Sequence, residues 1–168
     1  MHHGVFRSLI MPHYCRPLAN LPQLSEHIIY SNAKRIKEAL EYVHSQNIVH
    51  MDVKSANVMV DMDGKWYLAD FGSAKNIGEP VGSYTHHFYP VDITSKPALP
   101  SFDYYMFIIL VIIELNKANW KSLLDYNNHM HIAHSEVVNM IKQGRTPIFI
   151  CFLTDLLTLA DNDCIKSL

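Results

Sequence analysis

Ile48 to Gly72, IVHMDVKSANVMVDMDGKWYLADFG, contains two acidic loops, one built on His50-Met51-Asp52 and one on Asp70-Phe71-Gly72. Two short β-like segments joined by a polar turn run between them. Val58 to Val60 is apolar, Asp61-Met62-Asp63-Gly64 has hairpin chemistry, and Lys65 to Ala69 returns the chain. A hairpin of this length brings its ends together, so Asp52, Asn57 and Asp70 can converge despite their separation in sequence. Two carboxylates, one amide oxygen and the Lys54 ammonium around one cavity make a poor hydrophobic core. They make a good site for Mg²⁺ and a phosphate, because Mg²⁺ takes oxygen ligands and is usually held by one or two carboxylates plus substrate phosphates. Turn preference alone accounts for Asp61 to Gly64. It does not account for His50, Asp52, Lys54, Asn57 and Asp70 in one register.

The order His50-x-Asp52-x-Lys54-x-x-Asn57, followed at hairpin distance by Asp70-Phe71-Gly72, resembles the catalytic loop and DFG motif of protein kinases. The resemblance implies that Asp52 accepts or orients the proton of a substrate hydroxyl and that Lys54 neutralises the transferring phosphoryl group. It implies that Asn57 and Asp70 hold Mg²⁺, and that ATP is the phosphate donor. Lysine at position 54 is similar to the serine/threonine-directed subgroup. The implied fold is mainly α with small β-hairpins, a kinase-like large lobe truncated at both ends. Residues 1–14 would form the last small-lobe strand and hinge, and 15–168 the large lobe. Within it, 48–72 would be the catalytic loop to DFG and 73–101 the activation segment.

Ser8-Leu9-Ile10-Met11, stopped by Pro12, is strand-like. Under the resemblance Pro12 would offer its carbonyl and Tyr14 its N–H to adenine, since proline lacks only the donor. Met59 would join them in contacting the nucleotide. An ordinary edge strand ending at a proline explains the same residues. From about Ser25 to Ser45 the apolar residues Ile29, Ala33, Ile36, Leu40 and Val43 follow helical spacing, with Lys34, Arg35, Lys37, Glu38 and Glu41 on the other face. His44, near the end, reads as a surface or capping residue.

Phe102 to Leu115 resembles the central buried helix of the large lobe. Asp103 opens that nearly all-apolar run and needs hydrogen-bond partners to stay ionised there. The resemblance makes it, with His50, a structural anchor that accepts backbone N–H groups of the catalytic loop; a plain N-cap is the alternative. Pro147 to Ala160 reads as a helix with Leu153, Leu156, Leu157 and Ala160 on one stripe. His129, His131 and His134 lack the partner spacing of a zinc site.

Several features depart from the kinase pattern. Met51 stands where many kinases have an arginine that pairs with an activation-loop phosphate, so phosphorylation near Ser83, Tyr84 or Thr85 is not expected to switch the protein through such a pair. Tyr89-Pro90-Val91-Asp92 is the nearest text to Ala-Pro-Glu, which leaves substrate recognition loosely anchored. The only glycine before Gly64 is Gly4, and no lysine precedes Lys34. The expectation is therefore a chain without the glycine-rich lid and strand lysine, inactive alone, with a protein partner covering its exposed face. A kinase-derived scaffold without catalysis is the other class of function, and a small-molecule phosphotransferase a third.

Composition narrows the field. A 49 % hydrophobic and 18 % charged content is globular, not disordered, and a formal net charge of −2 gives no reason to expect nucleic acid or an anionic membrane as partner. The apolar run Phe107 to Ile113 is too short to span a bilayer and reads as a buried helix. Cys15, Cys151 and Cys164, an odd number without CxxC spacing, read as reduced thiols of a cytoplasmic protein. No secretion signal is expected in the N-terminal residues.

Overall fold

A computed structural model describes residues 14–81, 96–118, 142–143 and 145–161. Pro12, Ser83, Tyr84, Thr85 and the three histidines from 129 to 134 lie outside them.

Helix α1 (Glu26–Ser45) forms where the sequence places its amphipathic stripe. Ser25 caps it, its Oγ accepting the Ile28 N–H, and Glu26 puts negative charge at the positive end of the helix dipole. Ile29, Ala33, Ile36, Leu40 and Val43 are buried. The helix closes through Asn47, which takes a left-handed φ of 62° and donates its N–H to the His44 carbonyl. Asparagine tolerates that conformation better than most residues. The turn delivers the chain into β2 (Ile48–Val49).

Strand β1 (Arg16–Pro17) pairs antiparallel with β3 (Val58–Val60), which pairs antiparallel with β4 (Trp66–Leu68). The register sets Val58 opposite Leu68 and Val60 opposite Trp66. Asp61 builds the turn, its Oδ1 accepting the N–H groups of Asp63 and Lys65, both at 2.9 Å. Gly64 adopts a φ of 77°, which a residue with a Cβ enters only with strain. β5 (Lys75–Asn76) returns antiparallel to β2. Asn32 of α1 ties the hairpin down, its Oδ1 accepting the Trp66 backbone N–H at 3.0 Å.

Helix α2 (Pro100–Leu115) has proline in its first turn, where the missing N–H costs nothing, and is buried from Ser101 to Glu114. A helix apolar on all sides needs neighbours on all sides. α1 lies against it, as does α3 (Pro147–Asp161), whose Phe149, Leu153, Leu156, Leu157 and Ala160 are buried. Each such large side chain contributes about 1.5–3 kcal/mol by leaving water. Tyr30 of α1 meets Phe149 and Phe152 edge-on, with centroids 5.6 Å away in each case. Among the described residues no helix is long and apolar enough to cross a membrane.

Candidate active site

The loop from His50 to Asn57 is fixed from below by α2. Asp103, fully buried, accepts the His50 N–H at 2.7 Å and the Met51 N–H at 2.8 Å. The N-cap of α2 is Leu99, so the carboxylate serves the loop and not the end of its own helix. Its Oδ2 also meets His44 Nε2 at 2.9 Å. His44 is therefore not the surface or capping residue that its position suggests. Its side chain is 10 % exposed and completes the shell around Asp103.

His50 joins this loop to the second acidic loop. Its Nδ1 accepts the Asp52 N–H at 3.3 Å, so its Nε2 is the protonated nitrogen and donates to the Ala69 carbonyl at 2.9 Å. The Ala69 N–H in turn donates to the Asn57 carbonyl at 2.9 Å. Residue 69 is thus clamped on both sides of its backbone, and Asp70 follows directly. The open end of the hairpin brings Asn57 and Asp70 to one edge although 12 residues lie between them. Asp70 has a left-handed φ of 60°, and one of its oxygens accepts the Gly72 N–H at 3.3 Å. Phe71 packs its edge on the His50 ring, with centroids 4.7 Å apart, and stays 47 % exposed.

Within the first loop, Asp52 Oδ2 receives Lys54 Nζ at 2.8 Å and Asn57 Nδ2 at 2.8 Å. Asn57 Nδ2 also donates to the Asp52 carbonyl at 2.9 Å. With the amide nitrogen so committed, Oδ1 is the atom that Asn57 offers to a cation. Asp70, one residue after the Ala69 that donates to the Asn57 carbonyl, supplies the carboxylate of the set. An oxygen-only donor set that needs further oxygens to complete its shell fits Mg²⁺ with a phosphate ligand, and suits zinc or copper poorly.

The structure also places Tyr14 and Met59. The Tyr14 ring stacks obliquely on Tyr67, centroids 5.1 Å apart, and Met59 is the cross-strand partner of Tyr67. Directly opposed residues share a sheet face, so Met59 and Tyr67 lie on the face opposite buried Val58 and Val60.

Sequence reasoning missed a second buried group. Glu114, fully buried, accepts Ser55 Oγ at 2.7 Å and Lys117 Nζ at 2.9 Å, and Lys117 Nζ also donates to the Leu18 carbonyl at 2.9 Å. This network supports the segment that carries Lys54. The signal for it was a glutamate closing an apolar run with a lysine three places on.

Comparison with known proteins bears on these residues. The family described as protein kinase domain matches residues 9–146. Mitogen-activated protein kinase kinase kinase 3 of Arabidopsis thaliana is 40 % identical over 60 residues, 36 % of this chain and 10 % of that protein. Mitogen-activated protein kinase kinase kinase YODA of the same plant is 44 % identical over 60 residues, 36 % of this chain and 7 % of that protein. These alignments thus span a tenth or less of the curated relatives.

Proposed function

The chain belongs to the protein kinase domain family, and on that premise we propose that it is large-lobe material of a serine/threonine-directed kinase. The complete enzyme transfers the γ-phosphate of ATP to a hydroxyl of a protein substrate. The observation that carries this reading is the joint position of Asp52, Lys54 and Asn57, linked through Ala69 to Asp70.

In this reading Asp52 receives the proton of the substrate hydroxyl, and its contacts to Lys54 and Asn57 fix the carboxylate's orientation. Lys54 lies where it offsets charge on the group being transferred. Asn57 and Asp70 would hold Mg²⁺, which neutralises phosphate charge when bound. Tyr14 and Met59 would border the adenine, with Pro12 as the hinge acceptor. His50 and Asp103 keep the two loops in register. Both relatives' names describe enzymes that act on a kinase kinase, and a protein substrate is the corresponding proposal here.

The 168 residues have no glycine-rich lid and no lysine before Lys34. Positioning supplies most of phosphoryl-transfer catalysis, so residues 1–168 alone are expected to bind Mg-nucleotide weakly and not to turn over. Exposed Phe71 supports a protein partner over this face. The test is phosphate incorporation into a generic protein substrate by the chain supplied with a small lobe, with Asp52→Asn as control. Incorporation that Asp52→Asn abolishes supports the enzyme, and incorporation that survives it removes Asp52 from the chemistry. Turnover by residues 1–168 alone would overturn the proposed inactivity.

One observation favours a second reading, a non-catalytic scaffold. Met51 is 1 % exposed and packed in the core, so the loop position next to Asp52 offers no cation to an activation-loop phosphate. Absence of transfer by the completed chain, with partner binding retained, would establish that reading.

A further inference from the structure

A cavity of about 260 Å³ opens beside Lys54, with Ala19, Ala56, Ile113 and Lys117 also in its lining. Small-molecule sites begin at about 300 Å³, so this one suits a single side chain better than a whole ligand. Lys54 joins it to the candidate site, because Lys54 Nζ is 2.8 Å from Asp52 Oδ2. The cavity therefore begins within one lysine side chain of Asp52. One to three residues of extended substrate, about 3–11 Å, bridge such a gap.

The charged groups of the lining are already matched within the chain. Glu114 is fully buried, its Oε1 accepting Ser55 Oγ at 2.7 Å and its Oε2 accepting Lys117 Nζ at 2.9 Å. Lys117 Nζ also donates to the Leu18 carbonyl, and Lys54 Nζ is held by Asp52. A substrate cation thus meets two ammonium groups and a carboxylate with no exposed surface. A substrate carboxylate gains fully from either ammonium only by drawing it from its partner. At Lys117 that would leave Glu114 as a buried, uncompensated charge, which is costly. What the cavity offers without breaking a pair is apolar: the exposed alanines 19 and 56, the edge of Ile113 and the two lysine stems.

We propose that this cavity seats one leucine-sized aliphatic side chain of the protein substrate, within three residues of the acceptor hydroxyl, and disfavours arginine and glutamate there. The inference rests on the phosphotransfer reading for the identity of the partner, and on the cavity alone for the selectivity.

The test measures binding first and transfer second. Short peptides, each with one serine and with leucine, alanine, arginine or glutamate one to three residues from it, are titrated into the 168-residue chain carrying methyl-labelled alanine and isoleucine. At one spacing leucine is expected to move the Ala19, Ala56 and Ile113 methyl resonances saturably. It should bind at least about tenfold tighter than alanine, against roughly fiftyfold for complete burial of its three extra carbons. Arginine and glutamate should bind no tighter than alanine. Ala19→Phe, a change at an exposed residue that puts a ring into the cavity, should remove the leucine preference. Tighter binding of arginine or glutamate than of leucine, no spacing at which leucine exceeds alanine, or a preference that survives Ala19→Phe would each overturn the proposal. The chain supplied with a small lobe then separates the two readings. Leucine-selective binding without transfer that Asp52→Asn abolishes would sink the phosphotransfer reading and leave the selectivity standing. Asp52-dependent transfer that ignores the flanking residue would sink the inference and leave that reading standing.

Discussion

Asp103 Oδ1 accepts the Met51 N–H at 2.8 Å and holds Met51 at a φ of 64°. A non-glycine residue in the left-handed region persists where its surroundings over-determine it. Here the surroundings are one carboxylate below and a buried side chain above. A strained backbone at residue 51 turns the chain so that Asp52 follows with its N–H on His50 Nδ1.

Replacing Asp103 with alanine should cost about 3–5 kcal/mol, the range for breaking a buried charged network. The change would strip acceptors from the His50 and Met51 N–H groups and from His44 Nε2 together. Urea denaturation reads it as a lower midpoint at similar slope. A loss under about 1 kcal/mol would mean that the loop is held by something else.

Met51→Gly sets two effects against each other. Glycine relieves left-handed strain of about 1–2 kcal/mol. It also removes a side chain that is 1 % exposed, and truncating a buried methionine even to alanine costs about 2–5 kcal/mol. Burial should win, and the variant should be less stable than wild type in the same denaturation experiment. A stabilised Met51→Gly would show that strain dominates at this position.

Lys117→Met leaves the fully buried Glu114 carboxylate with Ser55 as its remaining side-chain partner. We expect a loss of about 3 kcal/mol, at the low end for a broken buried pair because the Lys117 side chain keeps 17 % exposure. Adding Glu114→Gln should recover part of that loss, since the uncompensated charge goes with it. A double variant less stable than Lys117→Met would contradict the pairing.

Much of this frame is legible in the sequence because its determinants are local. The α1 stripe from Ile29 to Val43 needs only helical spacing, and the Asp61–Gly64 turn needs only its own side chains. The apolar run after Asp103 dictates a buried helix wherever its neighbours lie. What escaped was set by partners far along the chain. His44 finds Asp103 across 59 positions and Ser55 finds Glu114 across 59, and no periodicity encodes such a meeting. Asn32 sits in a helix where asparagine is a weak former, and its reason is the Trp66 backbone 34 residues away. The polar half of the candidate site was readable because its residue types are poor core material. The buried supports beneath it were not.

The Asp61 carboxyl sits below its ordinary value. Partial desolvation pushes it up, and the Lys65 N–H, the Tyr67 hydroxyl, the Asp63 N–H and the Lys65 charge together pull it further down. A depressed carboxyl contributes stability above its unfolded pKa and loses it as pH falls through the lower folded value. The Asp63 and Lys65 amide resonances should therefore titrate with a midpoint below 3.8, and Asp61→Ala should abolish the step. A midpoint at or above 3.8 would mean that the turn does not hold Asp61 ionised.

Tyr104 gives the opposite sign at the alkaline end. Burial pushes its hydroxyl up to about 12, with Glu41 and Asp103 adding repulsion of the phenolate. Its ring meets His44 edge-on at 5.2 Å, so the same residue that borders Asp103 also packs on this phenol. A group whose folded pKa is raised contributes stability that is present below the unfolded value of 10 and lost as pH climbs through the folded one. Wild-type stability should therefore fall between pH 10 and about 12 more steeply than that of Tyr104→Phe, which has no phenol to ionise. Subtracting the two denaturation profiles removes the other tyrosines and the lysines that titrate in the same window. Parallel profiles through that window would show that the Tyr104 hydroxyl is as well solvated in the folded chain as in the unfolded one.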